Sequence, residues 1–280
     1  MRLVVTGASG RIGRYCMREL AEAGHAVSGV DRVTATVAGI RLLTADLTHA
    51  GDVYGALAGA DAVVHMGAWA NAGIVPDVRT YADNVTATFN VFQACADLGI
   101  RRVVSASSAQ VYGFAAHPPV YVPADEEHPL RPTNCYAAAK IAGEEAASYF
   151  SARYGLRILS FRIMGARAPD EMDANLDRIH QNPAADSGLL WTRTDARDVA
   201  AAARQAVEAD QVESGPYNIT GAEVAMEVDS ASLIQRYCGG TEIRPGLQGK
   251  VSPLSCARAR RVFGYAPRFG WSLRLRHPES

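Results

Sequence analysis

This 280-residue chain has few cysteines, nearly balanced positive and negative charges and few long apolar runs. The five cysteines include no Cys-x-x-Cys pair and no zinc-ligand spacing, so they indicate free thiols in a reducing compartment rather than disulfides or a metal site. Twenty-eight basic residues face 29 acidic ones, which argues against a nucleic-acid-binding surface. No run is long enough to span a bilayer, and Met1 leads almost directly into an apolar strand. We therefore expect a cytoplasmic protein without nucleic-acid, membrane or metal partners.

The most informative stretch lies at the N-terminus. An apolar run over residues 2–6 leads into a turn with glycines at positions 7, 10 and 13, and a helical pattern follows from Ile12. Glycine lets the backbone turn sharply and approach a pyrophosphate closely, while the helix start offers free N–H groups and a positive dipole end. A second apolar run ends at Asp31, where a carboxylate can accept hydrogen bonds from ribose hydroxyls. This pattern predicts a dinucleotide site.

The choice between NAD and NADP depends on two adjacent residues. The charge of Asp31 repels a 2′-phosphate and favours NAD, whereas Arg32 can accept that phosphate and keeps NADP open. Asp46, at the end of the predicted strand 41–47, can act as an N-cap of the next helix. The apolar run 62–68 predicts a buried parallel strand whose small end residues allow the cofactor to pass, with His65 as a packed residue rather than a catalyst.

A tyrosine and a lysine four residues apart open the predicted helix 136–154. Tyr136 and Lys140 lie on one helical face, and an ammonium near a phenol lowers the phenol's pKa, so Tyr136 is suited to proton transfer with a secondary alcohol. Ser108 ends the predicted strand 102–108, where its hydroxyl can hold the substrate oxygen beside the phenol. The proline-rich, acidic segment 114–132 is expected to be a loop over the site.

The Gly-x-x-Gly-x-x-Gly turn, Ser108 and the Tyr136-x-x-x-Lys140 pair, in this order, resemble the extended branch of the short-chain dehydrogenase/reductase superfamily from Met1 to about Trp271. The resemblance implies that Tyr136 is the general acid/base, that Lys140 binds the nicotinamide ribose and tunes Tyr136, and that Ser108 orients the reacting group. It also implies a homodimer that pairs the helices 81–98 and 136–154. For Asp46 it opens a second interpretation beside the N-cap, a contact to the adenine amino group.

The expected fold is α/β, a doubly wound parallel sheet of the Rossmann type with a small discontinuous C-terminal substrate lobe. We assign residues 1–162 plus 189–221 to the dinucleotide-binding domain and residues 163–188 plus 222–280 to the lobe. Dehydratases of the branch that the chain resembles place an acid two residues after the serine, or an Asp-Glu pair. Ala109 and Gln110 stand at these positions here, which argues against a dehydratase. The short stretch between Arg162 and Trp191 looks most like uronate and related small sugar dehydrogenases. Those enzymes bind the sugar acid with polar side chains at the positions that Ala109 and Gly165 occupy here.

Two sets of candidate residues follow. In addition to Lys140, the cofactor set comprises Gly7, Gly10, Arg11, Ile12, Gly13, Asp31, Arg32, Asp46, Leu47, Met66, Gly67, Ala68 and Ile163. In addition to Ser108 and Tyr136, the substrate set comprises Trp69, Gln110, Gly165 and Arg167. Trp69 is expected either to form a wall of the pocket or to belong to the hydrophobic core. Arg167, Arg178 and Arg193 are candidates to bind an anionic substrate or simply surface charges. Asn84 is expected to be a structural asparagine or a solvated one.

The resulting hypothesis is an NAD(P)-dependent oxidoreductase that acts on a secondary alcohol or ketone of a sugar-like small molecule. One alternative is a sugar or nucleotide-sugar epimerase with tightly bound NAD. A second is a non-catalytic dinucleotide-binding regulator, although such proteins usually lose the tyrosine or the lysine that this chain retains.

Overall fold

The computed structural model describes residues 1–270, so Trp271 and the rest of the predicted lobe up to residue 280 lie outside the described residues. The strands are β1 (Arg2–Thr6), β2 (Ala26–Asp31), β3 (Thr36–Val37), β4 (Ile40–Arg41), β5 (Leu43–Thr44), β6 (Ala62–His65), β7 (Arg102–Ser108), β8 (Tyr121–Val122), β9 (Arg157–Ile163), β10 (Ala166–Arg167), β11 (Thr194–Asp195), β12 (Gly215–Ile219) and β13 (Glu242–Ile243). The helices are α1 (Gly13–Glu22), α2 (Ala50–Leu57), α3 (Asp77–Asp97), α4 (Cys135–Tyr154), α5 (Met172–Gln181), α6 (Ala196–Glu208), α7 (Ser230–Tyr237) and α8 (Ala257–Phe263).

Seven parallel strands form the central sheet, in the order β5-β2-β1-β6-β7-β9-β12. The chain moves outward from β1 in one direction and then returns to place β6 on its other side. In an open α/β sheet, the crevice at this reversal, beyond the carboxyl ends of the strands, is where ligands bind. The sheet therefore confirms the expected doubly wound α/β fold and locates a binding crevice next to the Gly-rich turn.

Side chains that alternate along the strands hold helices on both faces of the sheet. Leu3 and Val5 of β1 pack with α1 and α6, whereas Val4 between them packs with α2, α3 and α4. The strands β6, β7 and β9 show the same alternation, with Val63, Val103 and Ile158 on the second face. This two-sided burial explains why these segments read as continuous apolar runs.

A third apolar cluster gathers the C-terminal segments. It joins residues of α5 and α7 to Trp191, Val224 and Leu254, and it also takes in Phe114, Val122 and Ala124. The division into two domains at the predicted boundaries stays a prediction. Within residues 1–270, none of the helices combines the length and apolar character needed to cross a bilayer.

Two element boundaries differ from the expectations. Helix α3 begins directly after Pro76, one turn before Tyr81, because a proline readily precedes a helix start. The predicted strand 41–47 shrinks to the edge strand β5, since residues 40–41 instead form a hairpin with β3.

Candidate active site

A cavity of about 820 Å³ opens beyond the carboxyl ends of β1, β6, β7 and β9. All members of the predicted cofactor and substrate sets, Ser108, Tyr136 and Lys140 included, lie along its walls, whereas Arg178 and Arg193 do not. The cavity also reaches residues that the sequence did not single out, among them Ser9, Asn71, Ile74, Met164 and Leu189.

The Gly-rich turn is packed too tightly for side chains at two of its three glycines. Gly7 has φ +62°, and a Cβ there would lie 2.6 Å from Cα of Gly67. A Cβ at Gly13 would lie 2.0 Å from the carbonyl oxygen of Gly7, whereas one at Gly10 would meet only that oxygen, at 3.1 Å. Helix α1 starts without a side-chain cap, although the backbone nitrogens of Arg14 and Tyr15 already donate to the carbonyl oxygens of Gly10 and Ile12. The turn thus fits a pyrophosphate that approaches the backbone at Gly10.

Asp31 is held in place at the end of β2. Its Oδ2 accepts hydrogen bonds from the Ser9 backbone nitrogen at 2.9 Å and the Ser9 hydroxyl at 2.8 Å, and its Oδ1 accepts from the Arg32 backbone nitrogen at 2.7 Å. Oδ1, which accepts only one of these bonds, keeps acceptor capacity for a ribose hydroxyl. The Arg32 guanidinium lies 4.2 Å from the ring centroid of Trp69, at the same end of the cavity. The position of Ser9, inside the Gly-rich turn, was the available signal for its role.

Asp46 does not cap helix α2, so that alternative is wrong. Its Oδ1 accepts from the Thr48 backbone nitrogen at 2.9 Å and the Thr48 hydroxyl at 2.8 Å, which closes a local turn, and the N-cap position of α2 belongs to His49. These hydrogen bonds lower the pKa of Asp46. The remaining interpretation, a contact to adenine, stays a prediction.

Tyr136 and Ser108 meet at the other end of the cavity. Both residues are largely buried, and the Ser108 hydroxyl lies close enough to the phenol to act on its pKa. The expected lowering of the Tyr136 pKa toward neutrality is wrong for the protein by itself, because burial raises that pKa to about 12 against the opposing effect of Ser108.

Lys140 explains part of this difference. Its Nζ donates to the carbonyl oxygen of Ala106 at 2.6 Å and lies 5.5 Å from the ring centroid of Tyr136, rather than at the phenolic oxygen. Burial lowers the pKa of Lys140 to about 8, opposed by the negative charge of Glu144. Its positive charge near neutral pH is therefore only moderately stable.

Behind Lys140, a buried ion pair closes the site. The Glu144 carboxylate accepts from Arg162 Nη2 at 2.6 Å and from the Ser107 hydroxyl at 2.5 Å. Arg162 also donates to the Tyr112 hydroxyl at 3.0 Å. Because both charges are satisfied, the pair fixes β7, α4 and β9 relative to one another. The sequence offered only the four-residue spacing of Lys140 and Glu144 as a signal.

A chain of amide side chains connects three walls of the cavity. Asn134, the N-cap of α4, donates to Gln110 Oε1 at 3.0 Å, and Gln110 Nε2 donates to Asn71 Oδ1 at 3.2 Å. Ser108 Oγ accepts from the Gln110 backbone nitrogen at 3.2 Å. Gln110 thus lies between the serine, the start of the tyrosine helix and the loop 69–74. Asn134 was recognisable from its N-cap position.

Trp69 forms a wall of the cavity and is half-buried. Its indole N–H donates to Asp83 at 2.7 Å, and its backbone is held by Asn84, which accepts from the Trp69 nitrogen at 2.8 Å. Asn84 is therefore structural. His65 is packed as expected, with its ring 2.8 Å from the Thr6 hydroxyl, and burial lowers its pKa to about 3.

The three candidate arginines have different environments. Arg193 is buried and saturated by Asp186, at 2.5 Å, and by Asn175, while Arg178 is exposed and lies away from the cavity walls, so neither can serve as expected. Arg167 does line the cavity, and burial together with nearby guanidinium groups lowers its pKa to about 10. It is still cationic at neutral pH.

The expected loop over the site is also wrong. No residue of 114–132 is among those lining the cavity, because Phe114, Tyr121 and Val122 are buried elsewhere and β8 pairs with β13. The loop that borders the site is 69–74.

Comparison with known proteins identifies the family of this chain. The model of the NAD dependent epimerase/dehydratase family matches residues 3–220. An L-arabinose 1-dehydrogenase (NAD(P)(+)) of Haloferax volcanii is 32% identical over 185 residues, which cover 63% of this chain and 71% of the relative. A uronate dehydrogenase of Pseudomonas putida is 30% identical over 166 residues, which cover 58% of this chain and 60%, less than two thirds, of the relative.

A solved structure agrees over nearly the whole length. A short-chain dehydrogenase/reductase superfamily protein from Agrobacterium tumefaciens with bound NAD superposes with a TM-score of 0.77 at 25% identity, covering 99% of this chain and 95% of the other. The predictions of the superfamily, of a nicotinamide cofactor and of an NAD(P)-dependent oxidoreductase are thereby confirmed at this level. The chain belongs to the NAD-dependent epimerase/dehydratase family of extended short-chain dehydrogenase/reductases.

Proposed function

We propose that the protein transfers a hydride between NAD(P) and a secondary alcohol or ketone of a small sugar-like molecule. The observation that carries the proposal is the meeting of Ser108, Tyr136 and Lys140 at one end of a cavity whose other end is the Gly-rich turn. The nicotinamide supplies the hydride chemistry. The chain supplies position and proton transfer.

Each catalytic side chain has a distinct task in this proposal. Ser108 holds the substrate oxygen, and Tyr136 gives that oxygen a proton during reduction or takes one during oxidation. Lys140 donates toward the nicotinamide ribose and adds positive charge beside the phenol. Gln110 and Asn134 hold Ser108 and the start of α4 in fixed positions relative to each other.

The proposed substrate is small. The stretch between Arg162 and Trp191 is occupied by β10, α5 and short 3-10 turns rather than by a large lobe, and Ala109 and Gly165 add no polar group. Arg167 offers a positive charge to an acidic substrate. The arabinose and uronate dehydrogenases are similar proteins and support the choice of sugars and sugar acids for testing.

The test is absorbance of the reduced nicotinamide during incubation with NAD or NADP and a panel of aldoses, sugar acids, polyols and ketones. We expect turnover with at least one compound, and an Arg167→Gln variant that raises KM for acidic compounds but not for neutral ones. A protein that binds NADH but turns over none of the panel would contradict the proposal.

Epimerisation is the second candidate, favoured by the family to which the chain belongs. It predicts NAD that stays bound through purification and product isomers without net NADH. Release of free NADH in proportion to oxidised product contradicts it. A non-catalytic regulator predicts dinucleotide binding without either product.

We also propose a homodimer that pairs α3 with α4. Phe89 and Tyr149 are 43% and 49% exposed, and both rings lie 5.1 Å from the ring of Phe150, so they form one apolar patch across the two helices. A patch of this kind is typical of an interface. The cytoplasmic location remains a prediction from cysteine usage.

A further inference from the structure

One ion pair joins the Gly-rich turn to a segment far along the chain. Arg11 Nε lies 2.6 Å and Nη2 lies 2.8 Å from the two carboxylate oxygens of Glu171. Glu171 Oε2 also accepts from the Ala168 backbone nitrogen at 2.8 Å, which fixes the carboxylate in place. The two parallel N–H···O bonds are the geometry in which arginine binds a carboxylate most strongly.

This pair connects one wall of the cavity to a segment adjoining another. Arg11 belongs to the wall formed by residues 10–13, on which a pyrophosphate would rest, and Glu171 ends the segment that continues the wall formed by residues 163–167. A longer pair, Arg14 with Asp170 at 3.7 Å, lies beside it. The pair therefore ties the turn proposed to hold the pyrophosphate to the segment that follows residues 163–167, although Glu171 itself is not one of the lining residues.

The pair is strong in geometry but remains accessible to solvent. The bond to Arg11 lowers the pKa of Glu171 to about 2, and the same bond raises the pKa of Arg11. The Arg11 and Glu171 side chains are nevertheless 46% and 36% exposed. Water and salt can reach both charges, so the contact can open and close without unfolding its surroundings.

We propose that Arg11 and Glu171 form a clasp that closes over the bound dinucleotide and must open before the dinucleotide can leave. The Gly10 backbone receives the pyrophosphate from the cavity side, and the Arg11 side chain reaches past it to the segment that follows residues 163–167. Arg11 acts here through Glu171, because the carboxylate engages Nε and Nη2 on one edge of its guanidinium. The clasp rests on cofactor binding alone and does not depend on hydride transfer or on the substrate.

The test measures release of NADH from the purified full chain by stopped-flow fluorescence, with excess NAD to trap the empty protein. We expect Glu171→Gln to release NADH about fivefold to tenfold faster than the wild type, since it removes a charge-assisted bidentate contact. Arg11→Lys keeps the positive charge of the turn but lacks the fork, so it should also release NADH faster. Added NaCl should accelerate release from the wild type and leave Glu171→Gln nearly unchanged.

Asp170→Asn is the matched control, because it removes the same charge one residue away and breaks only the longer pair. It should release NADH within about twofold of the wild-type rate. Thermal unfolding of each variant verifies that it is folded. Release from Glu171→Gln at the wild-type rate or slower, or equal acceleration by Asp170→Asn, would overturn the clasp. Absence of turnover in the substrate panel would leave these rates unaffected, so the two proposals fail separately.

Discussion

At the scale of single residues, burial decides the protonation of the proposed catalytic pair. Burial raises the pKa of Tyr136 to about 12 and lowers the pKa of Lys140 to about 8. Without a ligand, the site therefore holds a protonated phenol, which is the form that donates a proton to a ketone. Oxidation of an alcohol requires this phenol to lose its proton, and Lys140 favours that step only while it is charged.

Removal of the Tyr136 hydroxyl tests its assigned task. Tyr136→Phe should lower kcat/KM by about 10²-fold or more because it removes the proposed proton donor, while NADH affinity changes little. Turnover and NADH fluorescence titration measure the two effects. The control is Tyr149→Phe on the exposed side of the same helix, which should keep full activity. Substantial activity in Tyr136→Phe would remove Tyr136 from the chemistry.

His65 predicts a pH dependence of folding. Its folded pKa of about 3 lies below the ordinary value of 6.5 because burial penalises the charged ring, with a further contribution from Lys140. Between these values the unfolded chain binds more protons, so the free energy of unfolding rises with pH, by at most about 1.4 kcal/mol per pH unit from this group. His65→Gln should flatten the curve in denaturant titrations from pH 4 to 6.5. An exposed His117→Gln control should follow the wild type, and an unchanged slope in His65→Gln would contradict the assignment.

At the scale of elements, the glycines of the Gly-rich turn serve two different purposes. Gly7 and Gly13 are required by the packing of the turn, whereas Gly10 is required by the proposed cofactor. Gly10→Ala adds a methyl that meets only the Gly7 oxygen, at 3.1 Å, and otherwise stands in the cavity. We expect a small change in Tm and at least about tenfold weaker NADH binding, since the methyl occupies the proposed pyrophosphate position. Isothermal titration with NADH measures the affinity.

Gly55→Ala is the matched control for this substitution. Gly55 is exposed within α2 and has nothing within 4 Å of an added Cβ, so the variant should gain about 0.5–1 kcal/mol of stability and bind NADH normally. NADH affinity in Gly10→Ala equal to that of Gly55→Ala would contradict the position of the pyrophosphate.

The elements that were predictable from the sequence are those with local signals. The glycine spacing and the Tyr136–Lys140 spacing are read within a few residues, and the buried strands show up as apolar runs. The segment 114–132 was wrongly expected to lie over the site. Its actual position is set by the pairing of Tyr121 with Glu242, which no local pattern reveals. The Arg11–Glu171 pair was missed for the same reason. The Tyr136 pKa direction was wrong because burial depends on the whole fold.

At the scale of the whole molecule, the patch around Phe150 predicts the state of association. Light scattering should find a dimer, and Phe89→Glu or Tyr149→Glu should produce monomers, because a charge in an apolar interface is desolvated without a partner. Val228→Glu, at another exposed apolar side chain, is the control and should remain dimeric. A monomeric wild type, or a dimer in all three variants, would contradict the proposed interface.

The position of β1 has a consequence for how the chain acquires its structure. The strand formed by the first residues lies inside the sheet, paired on one side with β2 and on the other with β6, while β12, formed by residues 215–219, closes the far edge. During synthesis, β1 leaves the ribosome with both hydrogen-bonding edges open and cannot be covered until residue 65 has followed. Such non-local pairing makes folding slow and leaves the early chain prone to aggregation, so production of this protein should be sensitive to temperature and to chaperone supply.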